Sequence, residues 1–271
     1  MEESSKDFVV CSLSDIGRKR ENNEDSFLYR ELEGKGGSAV YLIAVADGMG
    51  GHLGGEVASR RVVEVLGEYV TSNPIEDVPK LLKGAITEAN RSIHEMSSKN
   101  SELHRMGTTC TAMLRTQGRA YIAHVGDSRA YLVRKTEVRR LTKDHTIAER
   151  MLEAGIITPE EAKVCPERNM LLRAVGTNSE VEVDLIPPID TTPGDIFVLC
   201  SDGLTEFVRE DELGGIVTLH PPDEACRILV SIANERGGVD NITVQVAEIL
   251  GKTKKASRIF AGLKNLFPWI R

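Results

Sequence analysis

No stretch of this chain approaches the roughly 18 consecutive apolar residues that a membrane span needs, and its polar, acidic start, MEESSKDF, carries no secretory signal. Both absences predict a soluble, cytoplasmic protein. The five cysteines (Cys11, Cys110, Cys165, Cys200 and Cys226) contain no C-x-x-C pair, and most sit within or next to apolar runs. That usage predicts reduced, structural thiols, with Cys165 in a loop as the exception. Positive charge is also short: the formal net charge of −7 excludes a molecule that as a whole seeks nucleic acid. An acidic protein that handles phosphate must bring positive charge in locally, and bound metal does that. There is no internal repeat, and no Pro-, Gly- or Ser-rich linker divides the body. The 271 residues therefore divide into one domain over 7–250 and a tail over 251–271.

What the chain does have is aspartate at the ends of apolar runs. Asp47 closes YLIAVADG, Asp202 closes IFVLCSDG, Asp240 opens DNITVQV, and Asp127 sits within HVGDSRAYL. A strand rich in Val, Ile and Leu is buried, and a carboxylate at its tip is costly to bury unpaired. Four such tips predict one pocket in which the carboxylates share cations. Ligands that are all oxygen suit Mg2+ or Mn2+ rather than zinc.

Apolar patterning predicts strands over 7–14, 26–32, 38–46, 107–116, 119–126, 129–134, 182–187, 195–201 and 241–249. Helical spacing predicts helices over 55–72, 76–97, 144–154, 158–163, 210–218 and 222–236, the fourth started by Thr158-Pro159-Glu160-Glu161. Residues 164–181 lack periodicity and read as a surface segment. Strands, then two helices, then strands, then helices argue for an α+β fold with largely antiparallel sheets. The tail stands apart, because 252–271 carries six basic residues and no acidic one, so that the rest of the chain has a net charge of −13. Ile259, Phe260, Leu263, Leu266, Phe267 and Ile270 share one side of a helical wheel. Two readings stay open: a helix packed on the body, or a basic amphipathic contact for an anionic membrane or acidic partner.

Paired cations held by carboxylates activate water and stabilise in-line displacement at phosphorus. The segment SDIGRKRENNEDS places Arg18, Lys19 and Arg20 just before Glu24 and Asp25. A guanidinium there can bind phosphate while the carboxylates order metal-bound water, and the alternative on this segment alone is a solvated mixed-charge loop. Ser128 lacks a nucleophile-elbow context and Cys200 is inside a strand, which leaves water as the nucleophile. His52, His124 and His145 are the candidate general acids, each set against a structural role, and His52 is the best placed.

Taken together, SDIGRKRENNED, VADGMGGH, MGTT, HVGDSRAYL, LTKDHT, CSDGL and DNITV resemble the metal-dependent Ser/Thr protein phosphatases of type 2C, in order and in spacing, over about residues 8–248. The wording of the glycine loop is similar to the bacterial branch. The resemblance implies a four-layer αββα sandwich and two Mn2+ or Mg2+ ions at one edge. Asp47 would bridge them, the Gly48 carbonyl would join it, and Asp202 and Asp240 would hold the second ion. It further implies that Glu24 and Asp25 act through bound waters, that Arg20 grips the substrate phosphate, and that Asp127 with Asp202 takes a third, weaker ion. Residues 155–173 correspond to a flap over the cleft. Phosphorylated proteins are the implied substrates and a Ser/Thr kinase the implied opponent. A small phosphoester hydrolase and an inactive phosphoprotein-binding scaffold are the alternatives. Where other members carry a His after the D-G pair this chain has Met49, which leaves the proton donor open between a bound water and His52.

Overall fold

The structure is a computed structural model and describes residues 7–50 and 54–251. His52 and the basic segment 252–271 lie outside the described residues. Two antiparallel sheets stand face to face. The first has the order β1 (Phe8–Asp15), β11 (Ile242–Ile249), β10 (Ile196–Cys200), β7 (Arg129–Arg134), β8 (Glu137–Arg140). The second has the order β2 (Asp25–Glu33), β3 (Ala39–Met49), β5 (Cys110–Thr116), β6 (Arg119–Val125), β9 (Asp184–Asp190), and the two-residue β4 (Gly107–Thr108) pairs with the far end of β3.

The central strands are apolar throughout because both of their faces are buried. On β3, Val40, Leu42, Ala44 and Ala46 pack against α1 (Gly54–Ser72) and α2 (Val78–Lys99), while Tyr41, Ile43 and Val45 point into the layer between the sheets. On β10, Ile196, Val198 and Cys200 meet α6 (Glu210–Leu219) and α7 (Pro222–Glu235), and Phe197 and Leu199 face the other sheet. The period-2 split of one run between two cores yields three apolar layers and thus four layers of structure, the αββα sandwich expected. Helix ends follow local chemistry. The Asp77 carboxylate accepts the Lys80 N–H at the start of α2, and Thr158 with Glu161 forms a full capping box on α4 (Pro159–Val164).

Several boundaries differ from the sequence expectation. The strand placed at 38–46 runs on to Met49, because Gly48 and Met49 find partners in Thr108 and Gly107. The strand placed at 107–116 is broken at Thr109 between β4 and β5. The helix placed at 144–154 becomes α3 (Ile147–Glu153), since the Thr146 hydroxyl accepts the Glu149 N–H and caps it. The strand placed at 182–187 runs to Asp190 through Pro187 and Pro188, which β9 tolerates as an edge strand. Strand β8 and the single turn α5 (Asp202–Thr205) have too little pattern to be read locally. Segment 164–181 is not all surface: Val175 is buried and pairs with Thr108, and the Gly176 N–H donates to Asn90 Oδ1 at 2.7 Å.

Candidate metal centre and phosphate site

Asp47 lies within β3, where the jog between β4 and β5 fixes its backbone. The Thr109 N–H and the Thr108 hydroxyl donate to the Asp47 carbonyl at 2.8 and 2.9 Å, and the Asp47 N–H donates to Thr109 Oγ1 at 2.8 Å. Across the ladder Asp25 is paired with Asp47, so the first residue of β2 brings a second carboxylate to the same end of the sheet. Asp202 follows β10 as the first residue of α5, and Asp240 stands two residues before β11. Strand order thus delivers four carboxylates from both sheets to one edge.

Their electrostatics show how closely they crowd. Burial, only partly offset by hydrogen bonds from Thr243 and Ser201, pushes Asp25 up to about 7, and the charges of Asp202 and Asp240 add to the rise. Burial followed by Asp25, Asp202, Asp127 and Asp240 holds Asp47 well above the usual carboxylate range. Burial and Asp240 lift Asp202 to about 6, with the adjacent Asp47 carboxyl acting in the opposite direction. Burial and Asp202 also raise Asp127, which sits in the turn between β6 and β7. Such mutual repulsion is relieved by protons or by cations.

Two oxygens, Asp25 Oδ1 and Asp202 Oδ1, are buried with no hydrogen-bond partner, while Asp25 Oδ2 accepts from Ser201 Oγ at 2.8 Å. Orphaned carboxylate oxygens in an all-oxygen pocket fit a hard divalent cation. Among the described residues no three His, Cys, Asp or Glu side chains close on a single ion position, and Asp240 is engaged by Arg20. Mg2+ usually keeps several waters and takes only one or two carboxylates, so the fit does not require such a cage.

Gly48 makes this packing feasible. A Cβ there would lie 2.1 Å from the Gly55 carbonyl oxygen and 2.5 Å from that of Glu24, so only glycine lets α1 and the Glu24 backbone close on β3. The Gly48 N–H donates to the Glu24 carbonyl at 3.1 Å. The Glu24 carboxylate lies beside Gly55 on the first turn of α1. Arg20 is half exposed, and its Nη2 donates to Asp240 Oδ2 at 2.7 Å. The cation expected to grip phosphate therefore stands at the rim of the carboxylate cluster.

On the other side of Asp202 lies a cavity of about 550 Å3, lined in part by Asp127, Asp202, Arg129, Asp144, Arg168 and Arg209. Arg168 belongs to the segment expected to form a flap, and it pairs with Glu206 across this cavity. Behind Asp127, Arg129 forks onto the largely covered Asp144 carboxylate, with Nη2 at 2.7 Å. Sequence reading gave Asp144 no role, since only the fold brings β7 to it.

His124 and His145 are structural. His124 is fully buried, and burial with the neighbouring His145 lowers it to about 4. His145 Nδ1 accepts the Gly126 N–H at 3.1 Å, so its proton sits on Nε2 and is donated to Asp184. That ring holds the turn before Asp127 and has no nitrogen left for substrate. Asn241 was also missed: its side-chain amide reaches Ile16, Asn22 and Glu24. The Asn following an Asp at the strand start was the available signal.

The sequence pattern described as Protein phosphatase 2C matches residues 17–221. Serine/threonine phosphatase stp of Listeria welshimeri is 38% identical over 252 residues, covering 90% of this chain and 98% of that protein. Serine/threonine protein phosphatase PstP of Mycobacterium tuberculosis is 38% identical over 240 residues, and there the chain spans only 45% of the relative's length. The solved structure of the M. tuberculosis enzyme superposes with a TM-score of 0.82 at 36% identity, covering 90% of this chain and 99% of that one. The catalytic domain of PstP in complex with two manganese ions gives a TM-score of 0.80 at 36% identity, covering 90% of this chain and 99% of that one.

Proposed function

This chain belongs to the protein phosphatase 2C family, and on that premise we propose that it hydrolyses phosphoserine and phosphothreonine in proteins. The observation that carries the proposal is the cluster of Asp25, Asp47, Asp127, Asp202 and Asp240, with two orphaned buried oxygens and Arg20 at its rim.

Asp47, the Gly48 carbonyl, Asp202 and Asp240 would hold two Mn2+ or Mg2+ ions. Glu24 and Asp25 would act through ordered water, and Asp127 with Asp202 would take a third, weaker ion. When bound, divalent cations acidify water and neutralise phosphoryl oxygens. The chain's own residues supply the rest. Arg20 can leave Asp240 for the substrate phosphate, which it would orient through a two-pronged contact. The two side chains weighed as nucleophiles are out of reach: Ser128 is buried against Thr109, and burial pushes the Cys200 thiol up to about 12. Water is thus the nucleophile, phosphate and the free hydroxyl are the products, and no covalent phosphoenzyme forms.

Phosphoproteins are the substrates of this reading. An opposing Ser/Thr kinase is its regulatory counterpart, and the basic segment 252–271 its means of meeting an anionic membrane surface. The intact carboxylate set disfavours an inactive scaffold. The test is phosphate release from a phosphothreonine peptide by purified protein with Mn2+, after chelation and on re-addition, beside a small aryl phosphate. Chelation-sensitive release that favours the peptide is expected. No release under any metal from folded protein overturns the proposal, and release from the aryl phosphate alone points to a small phosphoester hydrolase.

A further inference from the structure

The loop over 16–24 carries every charged group proposed to meet phosphate, yet it belongs to neither sheet. Its N-terminal side is anchored by the Gly17 N–H on Asp15 Oδ1 at 2.8 Å and by the Arg18 N–H on the Gly238 carbonyl at 2.6 Å. Beyond Arg18, Asn23 Nδ2 donates to Ser14 Oγ at 2.8 Å, and further side-chain contacts that gather the loop come from a residue at the other end of the chain. Asn241 Nδ2 donates to the carbonyls of Ile16 and Asn22, at 2.9 Å each, and Asn241 Oδ1 accepts the Glu24 N–H at 2.8 Å. The same residue's backbone N–H donates to Asp240 Oδ1 at 2.8 Å. Only 4% of Asn241 is exposed, so its amide is spent on these contacts rather than on solvent.

We propose that Asn241 is a positioning residue, a clip that sets Arg20 over Asp240 and Glu24 against Gly48 by holding the loop between them at both ends. The chemistry is specific to a primary amide of this length. The two carbonyls need donors and the Glu24 N–H needs an acceptor, and only Asn or Gln offers both. Aspartate keeps the acceptor, loses both donors and adds a charge beside Asp240. Glutamine is one methylene too long for a buried site. The backbone of the same residue is packed as closely: a Cβ on Gly203 would sit 2.1 Å from the Asn241 carbonyl oxygen, so α5 and Asp202 close directly onto it. Side chain and backbone of one residue thereby tie the phosphate loop to strand ends bearing two of the proposed ligands.

The inference rests on the phosphatase reading for its kinetic arm only. Asn241→Ala and Asn241→Asp are compared with Arg20→Ala and the Asn241→Ala/Arg20→Ala double variant, in the full chain with Mn2+. The expected result is a KM for phosphothreonine peptide raised about tenfold with kcat within about threefold, and a double variant well short of the product of the singles. Leu66→Ala, a core substitution on the buried face of α1, should lower Tm while leaving KM unchanged, which separates positioning from general loss of stability. Amide hydrogen exchange should quicken over residues 17–24 and not over α2. Fully multiplicative effects, or unchanged exchange over 17–24, overturn the clip. If Asn241→Ala does not fold, Asn241→Asp carries the same comparison. If the wild-type chain turns over no phosphopeptide, the exchange experiment still decides the clip, and only the phosphatase reading falls.

Discussion

Replacing Gly48 with alanine is the sharpest test of how the site is assembled. The new Cβ would lie 2.1 Å from the Gly55 carbonyl oxygen, 2.4 Å from the Gly55 carbonyl carbon and 2.5 Å from the Glu24 carbonyl oxygen. All three neighbours are backbone, so none can rotate away. Restoring contacts of about 3.4 Å requires α1 to withdraw by roughly 1.3 Å and the start of β2 by roughly 0.9 Å, a strain in the range of about 1–3 kcal/mol. The catalytic loss should exceed the stability loss, because a shift of about 1 Å at a reacting centre costs about a hundredfold in rate. The assay is kcat/KM for phosphopeptide at saturating Mn2+, run beside thermal denaturation. Gly215→Ala is the control: it lies inside α6 with nothing within 4 Å of its Cβ, and should leave activity alone while adding about 0.5–1 kcal/mol of stability. A Gly48→Ala enzyme within threefold of wild type would refute the argument that close backbone approach builds this site.

Three further outcomes follow from the carboxylate cluster and the tail. Asp202→Asn should weaken Mn2+ binding and lower turnover together, since one ligand charge disappears; calorimetric titration and turnover at low Mn2+ check this, and wild-type behaviour at low Mn2+ refutes it. With cations chelated, thermal stability should fall as pH rises from about 4 to about 7. Asp25 is raised by burial from 3.8 to about 7, so its protonated form favours the fold, fully below the unfolded value and no longer once pH passes the folded one. Added Mn2+ should reverse that slope, and chelated protein that grows more stable with pH contradicts it. Deleting 252–271 should preserve peptide hydrolysis and reduce sedimentation with anionic vesicles; unchanged sedimentation would favour a helix packed on the body.

How much of this could be read from the chain divides along a physical line. Strands β3, β10 and β11 were legible because a sandwich buries both faces of its central strands, and an apolar run is the signature of that environment. The aspartates were legible for the same reason, as polar breaks in those runs. What escaped depends on pairing between distant segments. Asp47 reads as the end of a strand, yet β3 continues because Gly107 and Thr108 lie beside it, and no local pattern announces that. Asp25 reads as a loop residue, but the β2–β3 register sets it opposite Asp47 and makes it, with Asp202, a carboxylate of the cluster with an unpartnered oxygen. His124 and His145 illustrate the converse: as letters in the sequence they qualify as proton donors, and burial and the Gly126 N–H remove them. Residue type therefore gave the chemistry of the edge, while cross-strand register decided which carboxylates share it and which bases are spent on holding it together. The same division explains Asn241, whose amide reaches across more than two hundred residues to a loop that only the β1–β11 pairing brings beside it.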